Sequence, residues 1–132
     1  MSTETTTSNT PLAGAYLVKG TIGHVGMAGA PIVHFALVVT PFNHQVTGSV
    51  HITQAVAHGN YSGQVKGAIF ATGLGDAIQA VSLTGPIYPD GPTPFVIPFE
   101  ASLSIDRAWK GSGGFRYANV HVDNVPVANL LD

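Results

Sequence analysis

The sequence predicts a single all-β domain, an antiparallel β-barrel or strongly curved β-sandwich of about seven to eight strands in mostly meander order. Three observations predict it. Short segments of alternating apolar and polar residues are separated by turns rich in Gly, Pro and Asn. No segment places apolar residues at i, i+3, i+4 and i+7 over three turns, so no long helix is expected. One five-residue pattern also recurs: Val18-Lys-Gly20-Thr-Ile22, Val46-Thr-Gly48-Ser-Val50, Val65-Lys-Gly67-Ala-Ile69 and Leu83-Thr-Gly85-Pro-Ile87. In an extended chain the two aliphatic residues and the Gly share one face, while Lys or Thr points the other way. Glycine weakens a strand, so its repetition on the apolar face predicts a sheet that bends sharply or backbones that approach closely.

In chain order, residues 1–11 are rich in Thr and Ser and close with Pro11; they are read as a flexible tail to a single β domain over 12–132. A first strand is expected over Gly14 to Ile22. The following loop carries Gly23, Gly26 and Gly29 before Pro31. The dinucleotide fingerprint needs G-x-G-x-x-G opening a helix, whereas a strand follows here, so this is read as a wide loop. The second strand, Ile32 to Thr40, is apolar on both faces and predicts a cover on both sides, by the core and by a neighbouring subunit or the tail. Residues 41–44 turn the chain. The third strand, Val46 to Val56, alternates most cleanly, with Thr47, Ser49, His51 and Thr53 outward.

His58-Gly59-Asn60 is the next turn, and the fourth strand runs from Gly63 to Ala71 with Phe70 breaking the outward polarity. Thr72 to Asp76 reads as a hairpin loop. A fifth strand spans Ala77 to Gly85, and Pro86, Pro89, Pro92 and Pro94 mark a long stiff loop. The sixth strand, Phe95 to Ile105, points Phe95, Ile97, Phe99, Ala101, Leu103 and Ile105 to one face. Residues 106–109 are expected to form a tight turn and 111–114 a Gly-rich loop. The seventh strand, Phe115 to Val122, ends before Pro126, leaving Val127 to Leu131 as an apolar tail that must dock on the body.

Composition narrows the function classes. Charged residues make up 9% of the chain, against about 25% in an average domain. So uncharged a surface separates folded copies poorly, which predicts a homo-oligomer. The net charge is −2, and the five Lys and Arg at 19, 66, 107, 110 and 116 are scattered, so no nucleic-acid partner is expected. There is no Cys and hence no disulfide or thiolate chemistry. No stretch approaches the roughly 18 apolar residues of a membrane helix, and residues 1–10 lack the pattern of a signal peptide. No membrane insertion is expected, and the default compartment is the cytoplasm, with export by an unusual route left open.

Catalytic patterns are scarce. Gly111-Ser112-Gly113 precedes a strand, whereas a nucleophile elbow joins a strand to a helix. Glu100 and the Asp residues form no pair suited to glycoside hydrolysis. His24, His34 and His44 are spaced by ten, which has no meaning for ligation. The weak metal candidates are His51, His121 and Asp123, which would have to converge, since even a catalytic zinc takes three protein ligands; otherwise they are solvated strand residues. No cofactor is expected. Binding has more support: Trp109 and Tyr117 flank a Gly-rich loop, and Tyr88 with Asp90 sits in the Pro-rich one, a composition suited to a sugar, small-molecule or protein partner. Phe115 is read as a plug of an open barrel end; for Trp109, plug and contact residue stand level.

The Gly-centred strands in meander order look like the pattern of small avidin-type barrels. Those barrels surround a ligand with several Trp, and this chain has one, so no ligand residue carries over. The Val46–Ile52 strand, the Trp109-Lys-Gly-Ser-Gly-Gly-Phe-Arg-Tyr117 stretch and the Asn124-Val-Pro-Val127 ending resemble a family of short uncharacterised proteins of Gram-negative bacteria. That resemblance spans nearly the whole chain and implies no activity. The expectation is a non-enzymatic, self-associating binding module using loop aromatics. A carrier with a site inside the barrel, where inner glycines leave room for ligand, is the alternative. A metal enzyme comes third.

Overall fold

A computed structural model of the chain describes residues 14–56, 59–73, 78–92 and 95–130. Eight strands follow one another: β1 (Tyr16–Ile22), β2 (Ile32–Thr40), β3 (Gln45–Thr53), β4 (Tyr61–Ala71), β5 (Gln79–Pro89), β6 (Ile97–Ile105), β7 (Gly111–Tyr117) and β8 (Val120–Asn129). Each pairs antiparallel with the next, and β8 returns to β1, so the sheet closes in meander order. Of the two expected architectures, the barrel is the one formed. A sandwich would leave edge strands with unpaired backbone groups, which closure removes. The seam between β1 and β8 is the shortest, pairing Gly20 with Asn129, Thr21 with Ala128 and Ile22 with Val127. Two further bonds extend it, from Leu130 N to Lys19 O at 2.8 Å and from Gly23 N to Pro126 O at 3.0 Å.

The repeated pattern occupies the inner wall as expected. Val18 and Ile22, Val46 and Val50, Val65 and Ile69, and Leu83 and Ile87 are all buried, and each pair brackets its glycine on the lumen side. The reason for glycine is close backbone approach. A methyl at Gly67 would run into the Ser82 carbonyl, one at Gly48 into the Ala36 carbonyl and one at Gly85 into the Gln64 carbonyl. Each lies on the neighbouring strand, so these sites hold no space for a ligand, contrary to the reasoning behind an internal carrier site. Phe35, Phe99, Phe115, Trp109, Tyr117 and the inward aliphatic residues of the seven strands other than β7 join in one continuous cluster within the lumen.

Several element boundaries differ from the sequence expectation. The predicted seventh strand is a hairpin: Ala118 takes φ 51°, and the chain reverses over Ala118 and Asn119. Residues 111–114 are strand rather than loop, pairing with β6 from Ser102↔Gly114 to Ile105↔Gly111. Pro126 lies within β8. A strand residue points its N–H and C=O toward the same neighbour. The Pro126 carbonyl accepts from Gly23 on the β1 side, so its missing N–H leaves the β7 ladder untouched. The register slips by one residue between Gly113 and Phe115, and Asn124 sits at φ 56°. That β-bulge lets Val120 and Val122, then Val125 and Val127, all turn inward despite their uneven spacing. The apolar ending thus docks as a strand.

Strand β5 continues through Pro86 to Pro89. Its pairing with β4 runs Gly63↔Ile87 and resumes at Lys66↔Thr84, skipping the partner that Pro86 would otherwise bond. Conversely, β3 stops at Thr53 and β6 starts at Ile97, so Val56 and Phe95, expected inside, are exposed. On β2 the outward Val38 pairs with Leu17 of β1, and both are exposed. The predicted tail, His58, the stretch Leu74 to Asp76, Pro94 and Leu131 lie outside the described residues.

Candidate functional site

The meander gives the barrel two ends. The β1–β2, β3–β4, β5–β6 and β7–β8 connections share the upper end, and the start of β1 and the end of β8 share the lower end with the β2–β3, β4–β5 and β6–β7 connections. At the lower end, Trp109 closes the lumen. Asp106 builds its turn: Oδ1 accepts from the N–H groups of Ala108 at 2.8 Å and Lys110 at 3.0 Å, and the Asp106 carbonyl accepts from Trp109 N at 3.1 Å. This holds Trp109 at φ 59° and turns its indole inward. Nε1 donates to Tyr16 Oη at 3.0 Å, and the ring lies 5.8 Å from Phe35. Only 2% of Trp109 is exposed. A stacking contact with a surface ligand is not available to it in this arrangement.

Tyr117 also points inward. It lies parallel to Phe115 at 6.1 Å and edge-on to Tyr61 at 5.3 Å, with 3% of its surface exposed. Its hydroxyl is buried without a hydrogen-bond partner. Burial, then Tyr61, pushes its pKa up to about 12. Of the four predicted contact residues, Tyr88 and Asp90 remain on the surface, near the upper end. They are joined there by side chains whose exposure the alternation of the sequence does not reveal: Val25 and Met27 on the β1–β2 loop, Val56 after β3, and Phe95 and Val96 before β6, all exposed. The upper connections, residues 23–31, 54–60, 90–96 and 118–119, contain no Lys, Arg or Glu, and Asp90 is their single acidic residue. Apolar residues in Gly- and Pro-rich connections were the available signal for this rim.

The three metal candidates do not converge. His51 faces outward on β3, with Nε2 3.6 Å from Asp90 Oδ2. His121 and Asp123 are on β8, 3.1 Å apart and paired with each other. Among the described residues, no three His, Cys, Asp or Glu side chains are grouped to hold a metal ion.

A second surface feature crosses the outer wall from β4 to β8. One cross-strand row, Ala68, Ser82, Ser102 and Gly114, is built of small residues. The row beside it carries Lys66, Thr84, Glu100, Arg116 and His121. Arg116 Nη2 donates to Glu100 Oε1 at 2.9 Å, a bond that holds the guanidinium still more firmly protonated. On the other side stands Phe70, whose ring stacks on His44 at 4.8 Å. The difference in side-chain length leaves an open hollow of about 660 Å³. It is solvent-facing.

The profile of a domain of unknown function, DUF1842, matches residues 13–121. The chain belongs to the DUF1842 family. The match includes β1 to β7 and the first residues of β8, and so covers the upper rim, the Trp109 turn and most of the outer hollow. No curated protein matches the chain significantly. DUF1842 membership establishes an uncharacterised domain family with, in this member, a closed eight-stranded barrel. Among the described residues no helix is long and apolar enough to cross a membrane.

Proposed function

We propose that this DUF1842 domain is a non-enzymatic interaction module that self-associates through its upper rim. The observation that carries the reading is the rim itself: Val25, Met27, Val56, Phe95 and Val96 expose apolar surface from three separate connections. Contiguous exposed apolar surface marks interaction sites more often than monomer surface does. The sparse charge of the upper connections favours the same use, since charged groups are depleted at the cores of interfaces. A second copy is a fitting partner because a rim whose connections carry a single carboxylate, Asp90, offers little charge to repel its own image. The filled lumen supports placing the contact outside the barrel. The separation of His51 from His121 and Asp123 removes the basis of the metal-enzyme alternative.

Multi-angle light scattering over a rising protein concentration tests the reading. The expected result is a dimer or larger species for the native chain and a shift to monomer in the triple variant Val25→Ser, Met27→Ser, Phe95→Ser. These side chains are outside the core, so the variant should keep its β-sheet circular dichroism. A native chain that stays monomeric at every concentration would overturn self-association.

A further inference from the structure

The register of the first five strands lines up Thr21, His34, His51, Ser62 and Tyr88 as one row around the outer wall. His34 and His51 are direct cross-strand partners, with ring centroids 6.2 Å apart and planes tilted by 37°. His51 Nε2 also lies 3.6 Å from Asp90 Oδ2. The Asp90 backbone is tied down at the head of its connection, its N–H donating to the Asn60 carbonyl at 3.0 Å. His34 Nε2 stands 3.1 Å from Thr53 Oγ1. His51 therefore neighbours an imidazole of β2 on one side and a carboxylate of the β5–β6 connection on the other, and the other members of the row are neutral. No part of the proposed self-association requires this arrangement.

We infer that His34 and His51 form a two-point clip for a late first-row divalent metal ion, Cu(II) foremost, with Asp90 near enough to swing in as a third donor. Opposed residues on adjacent strands hold their Cβ atoms about 4.5–5.5 Å apart, within reach of a shared ligand. Two nitrogens bound to one ion at about 2.0–2.1 Å are separated by at most about 4.2 Å, which a small rotation of each ring can supply. Imidazole suits copper, nickel and zinc, and copper heads the affinity order for divalent ions. A ligating ring must be neutral. Because no three donors among the described residues are grouped as the chain stands, the coordination is completed by Asp90 after rotation or by water.

The test is a calorimetric titration of the full chain with CuCl₂, paired with electron paramagnetic resonance of the loaded protein. The expected result is one saturable Cu(II) per chain with hyperfine structure from two nitrogens. His51→Gln, a half-exposed position whose loss leaves the core intact, should weaken binding at least tenfold, and His34→Gln should do the same. His121→Gln removes the other exposed His–Asp pair and should leave the affinity unchanged. Equal binding by His51→Gln and native chain would overturn the site. So would an equal loss in His121→Gln, which would mark the uptake as adventitious binding to surface histidines.

Discussion

At the scale of the residue, Tyr117 carries the least expected chemistry. Its ring is among the large groups that fill the upper lumen, but its hydroxyl is sealed in without a partner. An unsatisfied buried hydroxyl costs about 1–3 kcal/mol. Tyr117→Phe keeps the ring and deletes that group, so the variant should be as stable as the native chain or more stable by about 1 kcal/mol in urea unfolding. A loss above that size would mean the hydroxyl has a partner. The same tyrosine makes stability depend on alkaline pH. Its folded pKa, pushed up to about 12, lies above the ordinary value of 10, so between the two the unfolded chain releases a proton that the folded chain keeps. Stability is therefore complete below about pH 10 and falls as the pH rises toward 12. The slope should vanish in Tyr117→Phe. Little of this was legible in sequence, where Tyr117 beside a Gly-rich stretch read as a surface contact. The stretch is strand, and alternation then turns Tyr117 inward.

At the scale of the element, the Gly-centred strands were legible because their period survives folding unchanged. Val65, Gly67 and Ile69 face the lumen in β4 as their spacing requires. What the spacing leaves unstated is which of two reasons favours glycine, and the answer is the neighbouring backbone. Gly67→Ala puts a methyl against the Ser82 carbonyl of β5. Overpacking of this kind destabilises by about 1–3 kcal/mol, and more where rigid backbone must move. A drop in the urea midpoint without a change in slope would agree; no change would show that β4 and β5 can separate at little expense. The β7–β8 hairpin was harder to read. Its turn is made by Ala118 at positive φ rather than by Gly, and the bulge at Asn124 shifts the inward positions by one residue. A period-2 reading runs one strand from Phe115 through Ala118 to Val122 and ends it before Pro126. Pro86 and Pro126 misled in the same way, since each sits where its absent N–H interrupts little pairing.

At the scale of the whole molecule, closure is what moves function to the outside. Eight strands with their inner side chains joined in one cluster are a solid body, with the indole of Trp109 at one end and Tyr61 and Tyr117 near the other. The rim and the histidine row were only partly legible because both depend on strands that are distant in sequence. His34 and His51 meet only once β2 and β3 are in register, and Phe95 is exposed only because β6 begins at Ile97. The β1–β8 seam is the thinnest part of this closed body, with three residue pairs. Native-state amide hydrogen exchange tests it directly, through Gly23 and Leu130, whose N–H groups donate across the seam. If the barrel is closed, these amides exchange slowly, with protection approaching that of the β4–β5 ladder. If they exchange as fast as the amides of a free strand edge, the sheet is open and its interior accessible, and a closed barrel is contradicted.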